Sequence, residues 1–169
     1  MIHTDNPFAD PPDRREPDRQ FRGRLAAGVT IVTTGSDQDA TGLTVASLFL
    51  VEGQPSTIHF VAGPGTEFWD LVVTSGRFVV HLCGEDQHGL AEVFAGLRPS
   101  PGGKLTSAEW APTEWGPALG ELPNRAFCRM TSVVETGFAG VIVGDVEKFE
   151  LDDLIRPLIY YRGRYRHLD

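Results

Sequence analysis

The sequence has few cysteines and no long apolar run. Cys83 and Cys128 are the only thiols in 169 residues, and they lie far apart with no Cys-x-x-Cys spacing. This argues against a thiol-based zinc site or redox exchange and favours two buried thiols. No stretch reaches the roughly 18 apolar residues of a membrane span, and residues 1–18 lack the apolar core of a signal peptide. We therefore expect a cytoplasmic protein that does not enter a membrane.

Positive charge is also scarce. Fifteen Lys and Arg residues stand against 23 Asp and Glu residues, which gives a formal net charge of -8. Such a surface repels nucleic acid and anionic membranes, so neither is expected as a partner. An anionic ligand would need a local pocket.

The composition favours one β-rich domain. Hydrophobic residues make up 41% of the chain and charged residues 22%, while 19 Gly and 12 Pro indicate many turns. Residues 1–18 contain four Pro and no hydrophobic period, so they are predicted to form an extended or flexible arm. Residues 19–169 are predicted to form the domain, because this length suits a single core.

Hydrophobic periodicity predicts short helices and seven or eight strands. Helices are expected at 18–28, after Thr66 as far as Gly76, and at 86–95. A surface excursion is expected at 98–120. The predicted strands are 28–34, 40–51, 56–62, 78–83, 126–135, 139–151, 157–161 and a short one near Tyr165. This pattern favours a closed or nearly closed antiparallel barrel with helices at its ends.

A glycine-rich turn, Gly63-Pro64-Gly65-Thr66, lies between a predicted strand and a predicted helix. Glycines let the main chain approach an anion, and free amides at a helix N-terminus can bind phosphate oxygens. The Thr66 hydroxyl could add one bond. Three interpretations stay open: a plain strand-to-helix turn, a phosphate site, or the start of a dinucleotide-binding βαβ unit.

Other polar residues are also ambiguous. His81 lies between Val80 and Leu82 on a predicted strand, where it could touch phosphate, bind a metal or be hydrogen-bonded inside the fold. With His59 as the only other strand histidine and no clustered carboxylates, no metal site is expected. Arginines alternate near the C-terminus at 162, 164 and 166, and they could bind phosphates or form a solvated edge.

Several segments together resemble the short-chain NAD(P)H:flavin reductase family. They occur in the family's order and spacing from about residue 21 to the end of the chain. The segments are LAAGVTIVTT (25–34), GLTVAS (42–47), GRFVVHL (76–82), the 86–95 helix with its Gln and Phe-Ala, GDV (144–146) and PLIYYRGRYRHL (157–168).

The resemblance implies a mainly β fold, an antiparallel split β-barrel of Greek-key type with two or three short helices. It implies FMN or FAD as cofactor, NADH or NADPH as reductant, and a homodimer with the flavin near its interface. The residues it places at the flavin are Thr30, Thr44, Val45, Ala46, Ser47, Gly65, Thr66 and His81, the last in place of the family's Asn.

Two departures from the family pattern bear on activity. Phe68 occupies a position where the family has a phosphate-binding hydroxyl, and Phe138-Ala139 replaces a family Asp-His pair. Catalytic residues are therefore not assigned. The leading interpretation is an NAD(P)H-dependent flavin reductase that supplies reduced flavin to a monooxygenase partner. The alternatives are a flavin-binding or carrier protein without efficient nicotinamide oxidation and, third, a Rossmann-type dehydrogenase.

Overall fold

The computed structural model describes residues 16–168, so most of the predicted arm at 1–18 lies outside the described residues. The α-helices are α1 (Pro17–Gly23), α2 (Glu67–Ser75) and α3 (His88–Phe94). The strands are β1 (Ala27–Gly28), β2 (Thr30–Thr34), β3 (Thr41–Val45), β4 (Leu48–Val51), β5 (Thr57–Ala62), β6 (Arg77–Leu82), β7 (Trp110–Ala111), β8 (Ala118–Leu119), β9 (Arg125–Thr136), β10 (Ala139–Glu150), β11 (Ile159–Tyr161) and β12 (Arg164–Arg166). Within this part of the chain no helix has the length and apolar character needed to cross a membrane.

The main sheet is antiparallel and curls back on itself. Its seven strands follow the order β3-β2-β6-β9-β10-β5-β4, so β3 and β4 form opposite edges. Only Ala46 and Ser47 connect these two edge strands. Each residue of a connection spans only a few ångströms, so a two-residue link cannot bridge distant edges. The two edge strands must therefore lie close together, and the sheet must close on itself. The predicted mainly β, antiparallel split barrel is thereby confirmed, and the single predicted strand at 40–51 is instead two strands that bond to different neighbours.

The barrel interior is filled by alternating apolar side chains and closed at one end by α2. Phe60 on β5 contacts Phe68 and Phe78 edge-on, with ring centroids 6.1 and 5.3 Å away. Thr66 accepts a hydrogen bond from the Trp69 amide at 3.1 Å, and Gly76 ends the helix with φ 66°. Both predicted ends of this helix are confirmed, and they are the local signals that position α2.

A second apolar cluster lies between the barrel wall, α3 and the 98–120 excursion. Leu105 and Trp110 of the excursion pack against it, together with buried Leu119. The Thr33 hydroxyl also donates to the Pro117 carbonyl at 2.6 Å. The prediction of a surface excursion at 98–120 is therefore wrong in one respect, because much of this segment packs against the outside of the barrel.

The first helix is shorter than predicted. It ends at Gly23 instead of Gly28, and Phe21 and Leu25 of its predicted apolar face are exposed. Ala27 pairs with Tyr160 in a small sheet of order β1-β11-β12. Strand pairing has therefore overridden the local helical pattern.

Gly144 on β10 allows a close approach inside the barrel, which gives a first prediction. A Cβ at this position would lie 2.6 Å from Phe78 Cζ and 3.1 Å from the Arg129 carbonyl oxygen. We expect Gly144→Ala to lower the free energy of unfolding by about 1–3 kcal/mol in urea denaturation, since the core must shift. Gly28→Ala is the matched control, because its Cβ would meet no atom within 4 Å. Equal effects of the two substitutions would contradict this account.

Candidate functional site

The barrel is split where β3 and β5 separate. The Val61 amide donates to the Ser47 carbonyl at 3.3 Å, and the Thr41 hydroxyl donates to Glu67 Oε2 at 3.4 Å. The first contact continues the β4–β5 ladder, whereas the second joins two side chains, one on β3 and one at the start of α2. Between them no ladder joins residues 42–45 to residues 63–66. We call this opening, bounded by 42–46 and 63–66, the split.

The β3 edge of the split presents backbone polar groups. Lys104 Nζ donates to the Gly42 carbonyl at 3.0 Å, so this carbonyl points away from β2. In an antiparallel pair every second residue bonds on the same side, so the amide and carbonyl of Thr44 and Ala46 also point away from β2. An unpaired strand edge is a ready hydrogen-bonding surface for a planar polar ring.

The opposite wall of the split is the glycine-rich turn. Gly65 has φ 78°, a left-handed conformation that favours glycine. Thr66 bonds both to the Gly63 carbonyl and to the Trp69 amide, so its hydroxyl is already used as the helix cap. The remaining first-turn amides of α2 and the positive end of its dipole are available to an anion.

Three of the predicted site residues on β2 and β3 have buried side chains. The Thr30 hydroxyl donates to the Val45 carbonyl at 2.9 Å, and the Thr44 hydroxyl donates to the Ala91 carbonyl at 2.5 Å. Val45 itself lies in the barrel core. A ligand in the split would therefore meet the backbone of these strands, whereas their side chains hold the wall in place.

The structure brings four other predicted residues to the split. Ala46 and Ser47 lie at the bend between β3 and β4, while Gly65 and Thr66 lie in the turn opposite. Phe68, which the family pattern would replace by a hydroxyl, points instead into the barrel core. Phe68 therefore offers no polar group to the turn.

His81 is a fourth predicted residue whose side chain is buried inside the fold. Its side chain is 0% exposed, Nδ1 lies 3.0 Å from the Ile31 carbonyl, and Nε2 accepts from the Leu119 amide at 3.0 Å. Because an amide can only donate, Nε2 must be unprotonated and Nδ1 must carry the hydrogen. Burial lowers the pKa of His81 to about 3. The hydrogen bond to the Ile31 carbonyl raises this pKa and so partly opposes the effect of burial. In this arrangement neither nitrogen can reach a phosphate or a metal.

The β9–β10 hairpin ends beside the split. Gly140 pairs with Ala62, the residue that precedes the glycine-rich turn, and Trp69 packs over Gly140. Gly137 turns the chain with φ 56°, and the Phe138 side chain is fully exposed at 104%. Phe138 and Ala139 therefore give this rim an apolar character.

The C-terminal arginines lie elsewhere. Arg162, Arg164 and Arg166 are exposed at the edge of the small sheet, and the Arg162 amide donates to the Gly23 carbonyl at 2.8 Å. Among residues 16–168, no group of three His, Cys, Asp or Glu side chains could hold a metal ion.

Sequence reasoning missed Lys104 and Trp69. Lys104 lies in the excursion, where nothing in the local pattern connects it with β3, and its ammonium bonds to the carbonyls of Gly42 and Phe94. Trp69 follows the turn by three residues, and helical spacing could have placed it above the turn. Only the fold brings Gly140 beneath its ring.

The fold thus defines the class of the protein as a split antiparallel barrel with an unpaired strand edge beside a glycine-rich turn. Residues 22–169 match the family described as flavin reductase like domain, and the chain belongs to this family.

Similar proteins carry related functions. The chain is 28% identical over 155 residues to the reductase subunit HsaB of a flavin-dependent monooxygenase from Mycobacterium tuberculosis, covering 89% of this chain and 81% of HsaB. It is 29% identical over 147 residues to an NADH:FMN oxidoreductase from Rhodococcus qingshengii, covering 84% and 76%. The crystal structure of nitrilotriacetate monooxygenase component B from Mycobacterium thermoresistibile superimposes with a TM-score of 0.79 at 27% identity, covering 90% and 87%.

The buried neutral His81 predicts a pH dependence of stability. Its pKa is near 3 in the fold and near 6.5 in the unfolded chain, so only the unfolded chain takes up a proton between these values. Stability from this residue is complete above pH 6.5 and is lost as the pH falls toward 3. We expect wild type to lose up to about 1.4 kcal/mol per pH unit from His81 below pH 6.

Urea denaturation of His81→Asn from pH 8 to pH 5 checks this expectation. The variant should be less stable at pH 8 by about 1–3 kcal/mol, because a buried partner is lost, but its stability should fall less with acid. His88→Gln, a change at an exposed residue, should keep the wild-type slope. Identical slopes for wild type and His81→Asn would show that His81 is not the titrating group.

Proposed function

We propose that this protein is an NAD(P)H-dependent flavin reductase that binds FMN or FAD in the split and delivers reduced flavin to a monooxygenase. The observation that carries the proposal is the split itself, an open strand edge opposite a glycine-rich turn in a chain of the flavin reductase like family. The two similar reductases, one of them a subunit of a flavin-dependent monooxygenase, support the oxygenase partner.

The residues of the split fit a flavin. The free amides and carbonyls at Thr44 and Ala46 suit the polar edge of an isoalloxazine, and the amides of the 63–66 turn suit a phosphate. When bound, the flavin supplies the hydride chemistry. The chain holds the ring along β3 and anchors the phosphate end at the turn.

A second candidate function is flavin binding or transport without efficient nicotinamide oxidation. It is favoured by one observation, the apolar hairpin tip, where Phe138 and Ala139 offer no polar side chain to a nicotinamide. Hydride transfer depends chiefly on stacking and distance, so this loss of polar groups does not by itself abolish a reductase.

Turnover assays separate the two functions. We expect the protein to quench FMN or FAD fluorescence and to accelerate flavin-dependent oxidation of NADH or NADPH above the rate with free flavin. Tight flavin binding without such acceleration would overturn the reductase and leave the carrier. Absence of both flavin binding and turnover would refute the flavin site.

Ala139→His should raise the turnover rate if this position governs the nicotinamide step. Ala111→His, at an exposed residue of β7, is the control.

We further propose that two copies associate through the outer face of the barrel. Side chains on β5 alternate, so that Phe60 points inward while His59 and Val61 point outward. Phe49 is 57% exposed and stacks on His59 at 4.7 Å. The outward side chains that form this apolar surface are Phe49, Val51, His59, Val61, Val134, Val141 and Val143. A contiguous apolar face beside the split suits an isologous contact that keeps the flavin near the interface.

The association is tested by light scattering coupled to gel filtration. Wild type should elute as a dimer at micromolar concentration, and Phe49→Asp should shift it to the monomer, because a carboxylate would be desolvated in the interface. Ile155→Asp is the control, since Ile155 is 85% exposed and lies outside this face. A monomeric wild type, or a dimer that survives Phe49→Asp, would contradict the proposed surface.

A further inference from the structure

Trp69 contacts two of the segments that border the split. Its backbone amide donates to Thr66 Oγ1 at 3.1 Å, so the residue lies in the first turn of α2, directly after the glycine-rich turn. Its half-buried ring packs against the barrel core and lies over Gly140 of β10. Gly140 pairs with Ala62, the last residue of β5 before the glycine-rich turn. One aromatic ring therefore joins the start of α2 to the β9–β10 hairpin.

The contact explains why residue 140 is a glycine. The backbone of Gly140 does not lie in the left-handed region that favours this residue type. A Cβ at this position would lie 2.7 Å from Trp69 Cζ3, closer than a side chain can approach without a shift. Glycine inside a strand weakens it and often marks the close approach of another group. Here the group that approaches is the ring of Trp69.

The hairpin continues beyond the end of β5, and its tip has little packing of its own. The β5–β10 ladder ends at Gly140, whereas β9 and β10 stay paired as far as Thr136 and Ala139. The side chain of Phe138, at the tip, is 104% exposed. A two-stranded ribbon without further packing is only marginally stable. The ring over Gly140 therefore supports the hairpin at the point where it leaves the sheet.

We propose that Trp69 is a positioning residue, whose ring fixes the hairpin tip beside the glycine-rich turn and so sets the space in which a nicotinamide stacks on the flavin. The inference rests on the reductase function proposed above. The flavin carries the hydride chemistry, and the protein contributes the geometry of stacking. Since hydride transfer depends on distance and alignment, a shift of the hairpin by about 1 Å is enough to slow it. Trp69 acts through the hairpin and not by contact with the reacting atoms.

A comparison of flavin affinity with turnover tests this role. Flavin affinity is measured by fluorescence quenching, and kcat and KM are measured with NADH and NADPH. We expect Trp69→Leu to lower kcat about 10- to 100-fold, while the affinity for FMN stays within about three-fold of wild type. Trp69→Phe keeps an aromatic ring over Gly140 and should retain most of the rate. Unchanged kcat and KM in Trp69→Leu, or an equal loss of flavin affinity and rate, would overturn the proposal.

Trp115→Leu is the matched control. The Trp115 ring packs on Phe127 at 5.1 Å in a separate apolar cluster, so its removal also costs packing, but away from the hairpin tip. The variant should lose stability in urea denaturation and keep the wild-type kcat and KM. A fall in kcat equal to that of Trp69→Leu would show that turnover follows general stability, which contradicts a positioning role.

A second substitution covers the case in which Trp69→Leu does not fold. Gly140→Ala displaces the ring from the other side of the same contact and should also lower kcat while flavin affinity is kept. Gly28→Ala is its control, because a Cβ there meets no atom within 4 Å. Wild-type kcat and KM in Gly140→Ala would overturn the proposal.

Hydrogen exchange separates failure of this inference from failure of the reductase function. The backbone amides of the hairpin, residues 134–140, should exchange faster in Trp69→Leu or Gly140→Ala than in wild type, and not in Trp115→Leu, because only the first two loosen the hairpin. Unchanged exchange in those two variants would overturn the positioning role in a protein that still reduces flavin. A wild type that oxidises neither NADH nor NADPH would instead refute the reductase.

Discussion

The fold depends on one strand that changes partners. Residues 41–45 bond to β2 and residues 48–51 bond to β5, although these partners are separated by three strands in the sheet order. The change at Ala46 and Ser47 forces the sheet to close, and it also leaves the outer edge of β3 unpaired. Unpaired backbone groups need partners or water. The split is thus a consequence of closure, and its polarity comes from the main chain.

Buried polar side chains of the barrel strands stabilise this arrangement through hydrogen bonds. Thr30 bonds β2 to the end of β3, Thr44 bonds β3 to α3, and His81 bonds β6 to β2 and to the excursion. Each bond satisfies a buried side-chain polar group that would otherwise lack a partner. Because such losses cost about 1–3 kcal/mol each, these residues fix the geometry of the split without touching a ligand.

Local sequence signals account for much of the fold. The strand pattern, the capping Thr66 and the terminating Gly76 were all predictable, since each depends on neighbours in sequence. The side-chain roles of Thr44 and His81 were not, because alternation tells which residues share a face and not what covers that face. Both covering elements, α3 and the excursion, come from distant parts of the chain. Lys104 was missed for the same reason.

The net charge of the chain is negative, whereas the charge held at the edge of β3 is positive. The chain carries -8, yet Arg77, Arg125 and Arg129 each pair with a carboxylate, so their charges are largely cancelled where they lie. Lys104 is not cancelled in this way, because its ammonium bonds to the neutral carbonyls of Gly42 and Phe94. A strongly anionic protein can therefore keep a local positive charge where a cation is held by neutral groups. Held between the Gly42 and Phe94 carbonyls, the Lys104 ammonium joins the edge of β3 to the end of α3 and leaves a positive charge there.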